Sequence, residues 1–134
     1  MSGRGALPWI VAGGAVVALG VVLLAGRARD TRHPEPRPGV TAIGVLPPVA
    51  VPRVPGALEA YAAARTAPGL VDGLYCYCHC RENANHRSLL TCFESEHGAY
   101  CDICMSEAVL ATQMAAGGSS LGQIRQAIDA RFGS

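Results

Sequence analysis

The sequence predicts a small, mostly α-helical domain with an irregular Cys/His-rich segment, preceded by one N-terminal transmembrane helix and a Pro-rich linker. Three observations carry this prediction: a charge-free apolar run near the N-terminus, seven prolines between residues 30 and 55, and six cysteines confined to residues 76–104. A chain of 134 residues has room for one domain. Its bases are eleven arginines with no lysine, and ten acids leave a net charge of +1. That balance excludes an electrostatic nucleic-acid binder, which needs a strong basic field. Two Phe, one Trp and four Tyr give the domain little aromatic bulk for a core.

Residues 1–29 read as a signal anchor. From Ala6 to Gly26 no charge interrupts the chain, Arg4 precedes the run, and Arg27, Arg29 and Arg32 follow it. The run is long enough to cross a hydrocarbon core of about 30 Å as a helix. Trp9 stands near one end, where an interfacial aromatic is expected. A cleaved signal peptide is the alternative, since small residues lie near Ala25 and Ala28. The excess of arginine after the span would by itself leave the following part in the cytoplasm. The short N-terminal flank and the ordinary export role of such segments favour the opposite side. The expected location is therefore membrane-anchored, or secreted if cleaved, with the domain outside the cytoplasm.

Residues 30–55 are expected to form a semi-rigid spacer, because proline at this density removes backbone donors and favours extended geometry. His33 within it reads as a solvated linker residue. After Gly56, the stretch Ala57-Leu-Glu-Ala-Tyr-Ala-Ala-Ala-Arg-Thr66 consists of helix formers and runs up to Pro68, so a helix is expected over 57–66. Between Leu70 and Tyr100 no helical or alternating period persists. Asp102 is expected to cap a helix running to about Ala116 and stopped by Gly117-Gly118. Extending its i, i+3, i+7, i+10 row places Cys101, Cys104, Ala108 and Ala111 on one face. Ser120 and Gln123 fit a capping box, and Leu121, Ile124, Ile128 and Phe132 form the apolar stripe of a last helix.

The chemistry-bearing text is Cys76-Tyr77-Cys78-His79-Cys80, then His86, Cys92, His97 and Cys101-Asp102-Ile103-Cys104. A disulfide framework suits an even cysteine count in an oxidising compartment, yet three alternating thiols are poorly spaced to close long loops. Redox chemistry at the Cys101/Cys104 pair has a helix start to lower a thiol pKa, but no βαβ pattern surrounds it. Covalent haem is excluded because Met105 follows Cys104. Metal binding fits the spacing: Cys-x-Cys-x-Cys aims several thiolates at one point, and Cys-x-x-Cys at a helix start adds two. Two arginines against five acids between Leu70 and Met105 give a local charge of −3, which attracts cations. Six thiolates and the imidazoles exceed one tetrahedral site, so two four-ligand sites or one bridged cluster would use them. Cu(I) stands narrowly ahead of Zn(II) for a sulfur-rich site outside the cytoplasm, with iron–sulfur clusters lower.

Over about residues 56–134 the sequence resembles a bacterial family named for its P-C-Y-C-G-C motif, small exported proteins and lipoproteins. Cys76-Tyr77-Cys78, Cys80, Cys92-Phe93, His97-Gly98 and Cys101-x-x-Cys104 stand in the family's order, Asn85-His86-Arg87-Ser88 is similar to its G-H-K-S element, and Leu121-Gly-Gln-Ile-Arg-Gln126 to its terminal helix. Tyr75 and His79 replace the motif's Pro and its Gly, and no cysteine for lipidation follows the apolar run. The resemblance implies an exported, cysteine-rich, metal-binding protein. It favours His86 and His97 over His79 as nitrogen ligands.

The sequence reading is therefore a non-enzymatic, membrane-anchored protein that binds, buffers or delivers a metal ion through Cys76, Cys78, Cys80, Cys92, Cys101 and Cys104 with His86 and His97. Its expected partners are the membrane and a metal donor or acceptor protein. The alternative is an interaction module held together by structural zinc or disulfides. No Ser/His/Asp set, paired-carboxylate motif or phosphate-cradling glycine loop suggests an enzyme.

Overall fold

The computed structural model describes residues 32–133, and these form one compact unit. The anchor expected at residues 1–29 lies outside the described residues. Among the described residues no helix is long and apolar enough to cross a membrane, and no strand occurs.

Five α-helices carry the unit: α1 Ala57–Thr66, α2 Pro68–Asp72, α3 Cys80–Ala84, α4 Asp102–Ala116 and α5 Leu121–Phe132. Short 3-10 helices at Leu89–Phe93 and Glu96–Tyr100 fill the interval between α3 and α4, and two more, Ala42–Gly44 and Pro48–Ala50, punctuate the N-terminal segment. Helix α1 has the bounds its composition predicts. Ala57, Ala60, Tyr61 and Ala64 recur on its buried face, and that face packs on α4, where Ala108 and Ala111 are also buried. Alanine on both faces lets the two helices approach closely. Tyr61 then spans to Phe93, ring edge to face with centroids 5.0 Å apart, and its hydroxyl donates to the Ser95 carbonyl at 2.6 Å.

Pro68 does not end the helical region. It occupies the first position of α2, where its missing N–H is not needed. Helix α5 starts at the expected capping box, Ser120 with Gln123, and buries Ile124 and Ile128 of the predicted stripe while Leu121 and Phe132 stay half-buried. Helix α4 begins one residue off expectation. Cys101, not Asp102, is its N-cap.

The proline-rich segment corrects the spacer expectation, because from residue 32 onward it is a strap fastened to the helices. Asp72, fully buried, accepts from the Arg37 backbone N–H at 2.7 Å, from the Arg37 guanidinium at 2.8 Å and from the Ser88 hydroxyl at 2.9 Å. Arg87 pairs with it at 2.9 Å. Burial alone would raise the Asp72 pKa, but these donors outweigh it and hold the carboxyl below its ordinary range. Arg125 on α5 donates to the Gly73 and Pro34 carbonyls at 3.1 and 2.8 Å. His33 is buried, not solvated. Its Nδ1 accepts from the Tyr75 N–H at 2.9 Å, which leaves Nε2 to donate to Asp129 at 2.8 Å. Leu46 also donates its N–H to the Phe93 carbonyl, and Val45 enters the core.

Candidate metal centre

A loop, a single helical turn, two 3-10 helices and the start of α4 deliver the site. The loop after α2 carries Cys76 and Cys78. Its Tyr77 N–H is fixed by Glu107 Oε1 of α4 at 3.0 Å, and the Tyr77 hydroxyl donates to Asp129 of α5. The chain then reverses through the single turn of α3. His79 and Asn85, on either side of it, both adopt left-handed backbone, with φ of 61° and 54°. The His86 N–H closes onto the Cys80 carbonyl at 3.1 Å. That closure brings His86 back beside the cysteine that starts the turn.

The two 3-10 helices supply Cys92 and His97. Ser95 accepts from the His97 N–H and caps the second of them. Gly98 lets the pair lie together: a Cβ there would stand 2.8 Å from the Cys92 carbonyl oxygen and about as close to the Phe93 ring. Helix α4 supplies Cys104 from its first turn.

These elements bring seven of the eight predicted ligands together, in two overlapping groups. The sulfurs of Cys76, Cys78, Cys80, Cys92 and Cys104 all lie within 4.8 Å of one another, and so do the donor atoms of Cys80, His86, Cys92 and His97. Sulfurs around one tetrahedral ion bound at about 2.3 Å would stand about 3.8 Å apart, well within that span. Cys76, Cys78 and Cys104 form a triangle with edges of 3.1, 3.3 and 3.3 Å. His97 Nε2 lies 2.9 Å from the Cys80 sulfur, and His86 Nδ1 lies 3.2 Å from the Cys92 sulfur. The two imidazoles meet edge to face at 4.7 Å.

Cys101 is the ligand the structure leaves outside both groups. Extending the helical row through it fails because its backbone is extended, with φ −132° and ψ 106°, and its sulfur accepts from the Cys104 N–H instead. His79 is also apart, with its side chain largely exposed. Cys78 and Cys80 are joined as a disulfide, a pairing that spacing argued against, while Cys76, Cys92, Cys101 and Cys104 are free.

The electrostatics are those of a crowded anionic centre. Hydrogen bonds from the Cys104 and Cys92 thiols pull Cys76 far below the ordinary thiol range. Cys104 is pushed up in return, first by its bond to Cys76. Cys92 is pulled down by Cys104 but raised further by Cys76 and by burial, so it too ends above its ordinary value. Burial lowers the His86 pKa, and the neighbouring His97 adds to this, a direction that favours the neutral imidazole a metal ion needs.

Sequence reasoning missed Glu107. It is fully buried one turn after Cys104, and burial followed by the negative charge on Cys76 raises its pKa to about 10. Its Oε2 has no hydrogen-bond partner. The signal was present as an acid embedded in the Cys104, Ala108, Ala111 row. A buried sulfur and nitrogen donor set of this kind could hold a cation.

The family profile described as "Protein of unknown function with PCYCGC motif" matches residues 40–134. The chain belongs to that family. The match starts well upstream of residue 56, so the PCYCGC unit includes the second part of the strap. The motif's glycine falls at His79, the residue with φ of 61°, where a side chain is strained and glycine is not. Its first proline falls at Tyr75. A proline there has no N–H, so the bond from Tyr75 to His33 depends on this chain's departure from the motif. No curated protein and no solved structure matches the chain.

Proposed function

We propose that this protein binds and hands on a soft metal ion, Cu(I) ahead of Zn(II), through the Cys/His cluster, and that it does so outside the cytoplasm on a membrane tether. The observation that carries the reading is the convergence of five sulfurs and two imidazole nitrogens within ligand range. Thiolate-rich donor sets select soft ions. Cys78 supports a role in transfer, because it is the one residue of the five that is partly exposed. The charge-free N-terminal run is the basis for the tether. The proposed role is binding rather than catalysis.

Ligation by Cys78 and Cys80 requires their bond to be reduced. A phosphine does this with water: the S–S bond becomes two thiols and the phosphine leaves as its oxide. The second reading, a disulfide scaffold that presents an interaction surface, is favoured by that same bond. It is weakened by the very short loop the bond closes, since loop closure restrains the unfolded chain less when the loop is short.

Elemental analysis of the full chain, purified without oxygen or added metal, tests the proposal, with thiols titrated after chelation and phosphine treatment. Copper or zinc at a fixed stoichiometry and six recovered thiols are expected, with the ion surrendered to a competing thiol ligand. A phosphine-reduced chain that takes up neither Cu(I) nor Zn(II) would overturn it.

A further inference from the structure

The two donor groups share Cys80 and Cys92. We propose that the centre is binuclear, with these two thiolates bridging a sulfur-rich metal position and a mixed position completed by His86 and His97. The inference rests on the metal-binding reading above and adds to it the number of ions and the way they are joined.

One tetrahedral ion takes four donors and would leave three of the seven unused. Two tetrahedra that share an edge take six: two bridging, and two terminal donors on each side. Only the thiolates can occupy the shared edge, because an imidazole nitrogen has a single lone pair to give while a thiolate sulfur has three.

The arrangement of the atoms matches this division. Each bridging sulfur already faces an imidazole nitrogen on one side, Cys80 toward His97 Nε2 and Cys92 toward His86 Nδ1. The Cys76, Cys78 and Cys104 triangle lies with the same two sulfurs in the other group. Cys80 and Cys92 are both buried, as an edge between two ions should be. Two sulfurs of the triangle complete the second tetrahedron. The third, Cys78 by its partial exposure, is left as the spare thiol through which an ion can enter or leave.

Cadmium-113 NMR of the phosphine-reduced full chain in mild detergent tests this, with Cd²⁺ alone as the probe. Two bound ions per chain are expected, giving two resonances split by mutual coupling through the shared sulfurs, the sulfur-rich one further downfield. His97→Asn, at an exposed position, should abolish or move the upfield signal far more than the downfield one. A single bound ion, or two signals without mutual coupling, would overturn the bridged centre while leaving the metal-binding reading standing. Failure to bind Cd²⁺ would overturn the bridged centre, and failure to take up Cu(I) and Zn(II) as well would overturn both. If His97→Asn left both signals in place, the assignment of the mixed position would be wrong.

Discussion

Two buried polar clusters lie in this small fold, one around Asp72 and one around Cys76, and they are satisfied in opposite ways. Asp72 has an arginine on its carboxylate from the strap, a second from the loop, a serine hydroxyl and a backbone N–H. The buried carboxylate there has its counter-charges within the chain, and both arginines remain partly exposed to water. The sulfur cluster finds mostly itself: thiols against a thiolate, two imidazoles at its edge, and a glutamate whose second oxygen has no partner. The first arrangement is complete and structural. The second gathers donors that could hold a metal ion, which is what separates a clamp from a candidate binding site.

Removing Asp72 should produce the largest effect and should be blind to metal. Asp72→Ala is expected to cost about 3 kcal/mol, since charge-assisted hydrogen bonds are lost while the half-exposed arginines regain water. Urea denaturation with and without added metal checks that the loss is the same in both. Metal itself comes next. An ion at a hundredfold excess over its Kd should add about 2.7 kcal/mol, and the same increment should appear in Asp72→Ala, because independent sites add. Unequal increments, read as shifts in urea midpoint, would mean that the two clusters are not separate.

Glu107→Gln is the sharper probe of the unsatisfied cluster. It keeps an acceptor for the Tyr77 N–H and removes an acid that burial keeps protonated, so metal-free stability should change by less than about 1 kcal/mol. A loss as large as that of Asp72→Ala would show a second clamp instead of a site. The smallest effect is the pH dependence of the clamp. Its folded pKa lies below the ordinary 3.8, so its stabilisation is full above that value and is lost as pH falls through the folded pKa. The gap between wild type and Asp72→Ala should therefore stay constant from pH 5 to 7 and shrink only in stronger acid.

Much of this comparison was legible in the sequence, unevenly. Helices α1, α4 and α5 could be read because propensity, caps and stripes agree over ten or more residues. The cluster could be read because Cys and His are rare residues crowded into one interval. The strap could not, since proline density looks the same in a solvated spacer and in a segment pinned by His33 and Arg37. Pro68 reads as a stop, and α1 does end before it; that the residues after it wind on into α2 could not be read, because a proline after one helix and a proline opening the next look the same. Cys101 was misplaced by continuing helical periodicity past the cap, where the backbone has already left the helix. Glu107 was overlooked because single acids on helices are usually solvated, and only burial reveals this one.

The strap also gives the unit a mechanical property. A pull on the chain at Arg32 acts first on the polar bonds that tie Arg32 to Arg81, His33 to Asp129 and Arg37 to Asp72, and such bonds can break and re-form. Releasing residues 32–55 would give roughly 80 Å of slack. One bond on that path runs from the Tyr75 N–H to His33, one residue from Cys76. Tension on the N-terminal end would therefore be felt at the edge of the cluster before it could unfold the domain.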